Sequence, residues 1–319
     1  MKKKDLLIYD VSWWILGSKA RTIQQYHPNL DIMSINQLKR RVNSNGSKKI
    51  NDSYETISTL SLGIAQQVMH AKVRVDSSQI ASYQRFSKNA KTYREWCDSI
   101  EPNHLFIKNV IQRIDRLGGI NRHLAQTVEK LSPVSKVSYM RHFVDCAHFT
   151  PLLLESKVNQ AFTIGWCGDP EKPMKNYASL YKKIQASFLR DPNVQFVEAV
   201  QKKRRSLKEM PAFYNSLDLL LITSSNEGGP APALEAYACG IPVLSTNVGY
   251  VKEVASPLGK QFILNSIQPE DFIKKINELK KDQELLKKLK KETRKNIITN
   301  WSVEERIDDW LQTLFLIKK

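Results

Sequence analysis

The sequence predicts an α/β protein of two domains, each a parallel sheet wound with helices, and three observations carry that prediction. At 319 residues the chain has the length of about two domains. Apolar runs that read as buried strands, among them Leu6 to Val11, Phe162 to Trp166 and Leu219 to Ile222, alternate with segments of helical spacing. The stretch from Thr223 to Val254 then holds a turn, a helix and a strand in one piece. Small polar residues, glycines and prolines follow Ile222, a helix-forming segment runs from Ala233 to Cys239, Gly240 and Pro242 close it, and Pro242-Val243-Leu244 resumes as strand. A glycine-rich entry to a helix exposes backbone N–H groups and aims the helix dipole at an anion. Glu227 in the turn and Glu235 on the helix can both face the crevice at the strand ends, where open α/β sheets take ligands.

Composition narrows the class. A hydrophobic content of 41% suffices for packed cores, and no apolar run reaches membrane-spanning length. Met1-Lys2-Lys3-Lys4 resembles a signal-peptide start, but Asp5 and Asp10 interrupt the apolar stretch and no small-residue cleavage site follows. Cys97, Cys146, Cys167 and Cys239 lie far apart without metal-type spacing, which fits reduced, packed thiols in a cytoplasmic protein. The net charge is +17, with 23 basic against 12 acidic residues through Pro151 and 26 against 20 beyond it. A solvated lysine-rich surface accounts for the excess in the first half, and so does an anionic partner: a phosphate polymer, a lipid surface or nucleic acid.

In chain order, Asp5 to Val11 is the first strand, and a helix capped by Ser18 runs to Tyr26 before His27-Pro28 stops it. Asp31 to Ile35 is the second strand. Trp13 and Trp14 beside Gly17 are candidates for stacking on a sugar face, with core packing as the alternative. Asn43 to Asn51, polar and holding Asn45-Gly46, reads as a loop. Thr59 to Gly63 ends a strand and Lys72 to Val75 reads as another. Gln79 to Arg116 reads as mostly helical, placing Arg85, Lys88, Lys91 and Arg94 on one face with Tyr83, Phe86 and Tyr93 interleaved. That face is either solvated or an acceptor surface. A helix follows Gly118-Gly119, from Ile120 to Leu131. Beyond Phe162 to Trp166, helix from Tyr177 to Leu189 and strand from Val194 to Val200 precede the basic run Lys202-Lys203-Arg204-Arg205, read as a solvated or anion-facing loop. A short helix lies in Met210 to Asp218, a longer one in Phe272 to Asn296. The tail places Ile307, Trp310, Leu311, Leu314 and Phe315 on one helical stripe.

Glu227 and Glu235, with the Gly-Ile-Pro-Val and Thr-Asn-Val-Gly segments after them, resemble the E-x7-E signature of retaining GT-B glycosyltransferases of family 4. Val144-Asp145, Phe149 and Pro151 are similar to the segment that ends that family's first domain, with His142-Phe143 replacing the usual Asn-Gly. Lys175 matches the lysine of the family's phosphate clamp; Trp166 stands where its arginine is expected, and Lys172 is the nearest substitute. The resemblance covers the second domain well and the first mostly at its ends. It implies a GT-B fold with two Rossmann-like domains facing across a cleft: residues 1–151 on the acceptor side, 152–301 binding the nucleotide sugar, and a C-terminal helix, 302–319, crossing back to the first domain.

The same resemblance implies the chemistry. Glu235 would take the ribose hydroxyls and Glu227 the donor sugar, since an ionised carboxylate is acceptor-only with two oxygens. Backbone N–H groups of Gly228, Gly229 and Ala231, with Pro230 between them, would meet sugar and phosphate beside Gly165. Lys175 would stabilise the departing diphosphate. The donor would be a UDP- or GDP-sugar, with no metal and no further cofactor, and no protein base is assigned. The acceptor is left open between a phosphate polymer, a lipid and modified DNA. Location follows as cytoplasmic, with peripheral contact at the inner face of a membrane allowed. His70, His104 and His142 are the first-domain histidines to test at the reaction centre. Two rival readings stand beside this one: a sugar-nucleotide epimerase, and a catalytically degenerate protein binding a nucleotide or an anionic polymer.

Overall fold

The computed structural model describes residues 3–13, 15–152, 161–200 and 205–317. The chain forms two units: Met1–Ala90 with Ile100–His142 and Arg306–Lys319, and Lys91–Ser99 with Phe143–Glu305.

The first unit is a parallel sheet of β1 (Lys4–Tyr9), β2 (Leu30–Ser34), β3 (Tyr54–Thr59), β4 (Ser77–Ile80), β5 (Arg116–Gly119) and β6 (Lys136–Tyr139) in the order β2-β1-β3-β4-β5-β6. Leu6, Leu7 and Ile8 are all fully buried, as a strand must be when helices cover both faces. The helices are α1 (Ile15–Tyr26), α2 (Ile35–Ser53), α3 (Leu62–His70), α4 (His104–Asn109) and α5 (Arg122–Leu131).

Several sequence expectations change here, the first being the cap at Ser18, which lies inside α1. Asn43 to Asn51 is helix, not loop. A capping box of Ser34 and Gln37 starts α2, Ile50 is buried on it, and Gly46 (φ +76°) marks a kink rather than an end. Lys72 to Val75 is not a strand; Lys72 takes positive φ after α3, and the strand is Ser77–Ile80. Gln79 to Arg116 is not mostly helical. It opens in β4, and the ordered helices in it are α4 and one 3-10 turn, Ile111–Arg113. Tyr83, Phe86 and Tyr93 are buried, so their spacing reflects core packing and not an aromatic acceptor surface.

The C-terminal helix, Val303–Phe315, packs in the first unit from Arg306 onward, and the whole predicted stripe from Ile307 to Phe315 is buried. Burial of that kind contributes about 1.5–3 kcal/mol per large side chain. Its last turn is also satisfied: hydroxyls of Ser58 and Ser77 donate to the Leu314 carbonyl at 3.1 and 2.8 Å, and the Arg116 guanidinium reaches Thr313 and Leu314 carbonyls.

The second unit holds β7 (Phe162–Gly168), β8 (Val194–Val200), β9 (Leu219–Ile222), β10 (Val243–Thr246) and β11 (Ile263–Leu264), all parallel, in the order β11-β10-β9-β7-β8. Its helices are α6 (Lys182–Ser187), α7 (Met210–Asn215), α8 (Ala231–Ala238), α9 (Val251–Val254), α10 (Pro269–Lys281) and α11 (Gln283–Trp301). The single helix expected over Phe272 to Asn296 is therefore two, broken at Asp282, whose carboxylate caps the Leu285 N–H at 2.8 Å. The unit begins ahead of Pro151. The Val144 N–H bonds the Trp301 carbonyl at 3.0 Å, and the Arg294 guanidinium holds the carbonyls of Cys146 and Phe149 at 3.1 and 2.8 Å, which ties that stretch to α11. Of the basic run, Lys202, Lys203 and Arg204 lie outside the described residues; Arg205 is exposed.

Candidate functional site

In the second unit the chain runs from β7 outward to β8 and then returns to place β9 on the other side of β7. That reversal makes the β7–β9 edge the topological switch point, the place where open α/β sheets take ligands. The two loops there are Asp169 to Asn176, after β7, and Thr223 to Pro230, after β9. They are stitched together: the Thr223 hydroxyl donates to the Lys175 carbonyl at 2.7 Å, the Asn176 amide to the Thr223 carbonyl at 2.9 Å, and the Ser225 N–H to the Met174 carbonyl at 2.7 Å.

The structure brings Lys175 and Glu227 together at this point. The ammonium donates to Glu227 Oε1, and the Ser224 hydroxyl donates to the same oxygen at 2.7 Å. Both charged side chains keep a little under a fifth of their surface exposed, so the pair is open to a ligand yet partly desolvated. Glu235, on α8, is buried and accepts from the Tyr214 hydroxyl at 2.5 Å. Its charge is felt around it. Burial, with Glu235 adding to it, holds the Tyr214 hydroxyl well above the usual tyrosine range and pushes the Cys167 and Cys239 thiols up to about 12.

Other sequence candidates occupy different positions. Trp166 is 1% exposed; its ring packs against Tyr177 and Tyr181, and its indole N–H donates to the Thr223 hydroxyl at 3.1 Å. It braces the β9 loop through Thr223. Gly165 lies against Leu217: a Cβ there would sit 2.3 Å from Leu217 Cδ1, and the leucine would have to shift. Lys172 is exposed, at the start of the 3-10 turn that presents Lys175.

The glycine turn has its own logic. A Cβ on Gly229 would lie 1.9 Å from the Tyr250 ring, and Gly249, at φ +55°, brings its backbone against Gly228 and Gly229. Gly228 and Pro230 are buried, Ala231 half-buried, and no side chain caps the start of α8. One residue bonded to this turn is not singled out by sequence. Glu95, on the segment Lys91–Ser99 that is part of this unit, accepts the N–H groups of Gly249 at 2.9 Å and Glu227 at 3.3 Å. Nothing local to Arg94-Glu95-Trp96 signals this, because its partners are remote in sequence.

In the first unit Trp13 is 56% exposed on the turn after β1, Trp14 lies outside the described residues, and Gly17 is buried where a Cβ would meet the Val11 carbonyl at 2.5 Å. His70 and His104 are exposed at a helix end and a helix start. His142 is buried, its Nδ1 3.2 Å from the Lys19 ammonium, which can only donate. Among the described residues no group of three His, Cys, Asp or Glu side chains is placed to hold a metal ion, and no helix is long and apolar enough to cross a membrane.

Two parallel-sheet α/β units with this topology define the GT-B fold. Solved structures like this one include sucrose-phosphate synthase from Thermosynechococcus elongatus, with a TM-score of 0.72 at 11% identity over 97% of this chain and 98% of that one. HepE from Anabaena, solved in complex with UDP-glucose, gives a TM-score of 0.70 at 12% identity over 98% of this chain and 100% of that one. The chain thus shares the fold of GT-B glycosyltransferases. In sequence, residues 171–296 match the family described as glycosyl transferases group 1. An uncharacterized glycosyltransferase of Methanocaldococcus jannaschii is 33% identical over 110 residues, which span 34% of this chain and 30% of that protein.

Proposed function

We propose that this protein is a group 1 glycosyltransferase that transfers a sugar from a nucleotide-sugar donor with retention of configuration. The observation that carries the reading is the meeting of Lys175 and Glu227 at the β7–β9 switch point, with Glu235 on the helix that follows. Glu235 would take the ribose hydroxyls, Glu227 the hydroxyls of the donor sugar, and the N–H groups between Gly228 and Ala231 the sugar and phosphate. The Lys175 ammonium has three donors, so it can stay with Glu227 while it meets the diphosphate. Cleavage of the anomeric bond leaves charge on that diphosphate, and Lys175 would stabilise it as it forms. In front-face retention the leaving phosphate helps to take the acceptor's proton, so no protein base is required; the reading also requires no metal. Trp166 in place of the clamp's arginine leaves Lys175 as the principal cation, with exposed Lys172 as its neighbour in the same loop.

The relative solved with UDP-glucose makes UDP-sugars the first donors to examine. The basic excess before Pro151 supports an anionic acceptor: a phosphate polymer, a lipid at a membrane surface or DNA. Nucleotide release from a panel of UDP- and GDP-sugars, with and without such acceptors and with and without EDTA, tests the reading. Acceptor-dependent release that EDTA leaves intact supports it. Donor binding without turnover on any acceptor would assign the chain to the degenerate class, and release of an epimerised donor to the epimerases.

A further inference from the structure

Resting on that reading, we propose that Glu95 is a positioning residue of the donor site, acting through the backbone of the loop that carries Glu227. Its Oε2 receives N–H groups from two different loops, Glu227 after β9 and Gly249 after β10, at 3.3 and 2.9 Å. A carboxylate is suited to this because it only accepts, and amide bonds to an ionised acceptor are stronger than those to a neutral one. The segment is registered on the same loop by its own backbone. The Glu95 N–H bonds the Ser225 carbonyl at 3.0 Å, and the Asn226 side-chain amide bonds the Tyr93 carbonyl at 2.8 Å. Tyr93, 1% exposed, anchors it. These bonds set the tilt of the peptide from which the Glu227 side chain reaches Lys175. They also fix the spacing between the Gly228-Gly229 turn and Gly249, which the close approach of those glycines already makes narrow. The second unit therefore takes part of its donor site from a segment, Lys91–Ser99, that interrupts the first unit in sequence.

The test is amide hydrogen exchange by mass spectrometry on the full chain as wild type, Glu95→Ala and Glu95→Gln, joined to donor and acceptor kinetics. Glu95→Ala is expected to speed exchange in peptides covering 224–231 and 246–251 while the remaining peptides exchange as in wild type. It should lower kcat/KM for the donor by about tenfold or more and leave the acceptor KM within about twofold. Glu95→Gln, which keeps one acceptor oxygen, should recover much of both. Wild-type exchange in the two loops, or a kinetic loss shared equally by donor and acceptor and not relieved by glutamine, would overturn the proposal. Should Glu95→Ala fail to fold, Glu95→Asp, which keeps the charge but draws the oxygens back by one methylene, decides: faster exchange confined to the two loops supports the clamp and unchanged exchange removes it. If wild type turns over no donor, the glycosyltransferase reading falls, while the exchange data still judge Glu95.

Discussion

The Lys175 ammonium and the Ser224 hydroxyl converge on one oxygen of Glu227, so a single carboxylate oxygen joins the loop after β7 to the loop after β9. The arrangement fixes a cation at the mouth of the switch point before any ligand arrives. A preformed charge of this kind costs no reorganisation when negative charge develops beside it.

Lys175→Gln removes the charge, keeps a polar end group and shortens the side chain by one atom. The expected result is a fall in kcat of about a hundredfold or more, the size typical of losing one preorganised electrostatic donor. Donor-dependent nucleotide release measures it; a Lys175→Arg variant retaining more activity than Lys175→Gln would locate the effect in the charge.

Tyr214→Phe removes the hydroxyl that donates to buried Glu235 at 2.5 Å. Hydrogen bonds to charged groups contribute about 1.5–3 kcal/mol, so nucleotide affinity should weaken by roughly tenfold. Calorimetric titration with UDP and GDP on the variant checks this, and undiminished affinity for both would separate Tyr214 from the nucleotide site.

Gly229→Ala drives a methyl into the Tyr250 ring, 1.9 Å away, whereas at Gly46, where φ is +76°, a methyl meets nothing within 4 Å. Overpacking costs about 1–3 kcal/mol, and a positive-φ alanine by itself about 1. Urea denaturation should therefore show Gly229→Ala as the more damaging change, with its transition confined to signals from the second unit.

The Cys239 thiol is held up to about 12, by burial first and by Glu235 next. The folded chain keeps it neutral at a pH where the unfolded chain ionises it. Its contribution is thus complete below the ordinary thiol value and is lost as pH rises toward 12. The melting temperature should fall from about pH 9 upward, and less steeply in Cys239→Ala. Parallel slopes would show that other groups set the alkaline limit.

Most strands, α8 and the C-terminal stripe were readable from apolar runs and period, because there local pattern and tertiary burial agree. The failures have physical causes. Asn43 to Asn51 carries loop residues, yet the capping box at Ser34 and burial of Ile50 hold it helical through the Gly46 kink. Between Gln79 and Arg116, aromatic residues at helical spacing are buried from a non-helical backbone, which periodicity cannot distinguish. Glu227, Glu235 and Lys175 were legible as candidates because motif spacing marks them. Glu95 was not, since its role rests on backbone amides, which have no side-chain signature in a sequence.

The most direct measurement is calorimetric titration of nucleotide and nucleotide-sugar into wild type, Glu227→Ala and Glu235→Ala, with turnover measured alongside. Glu235→Ala should lose nucleotide affinity by about tenfold or more, while Glu227→Ala keeps part of it and loses turnover. Nucleotide binding unchanged in Glu235→Ala, together with full turnover in Glu227→Ala, would contradict the proposed donor site.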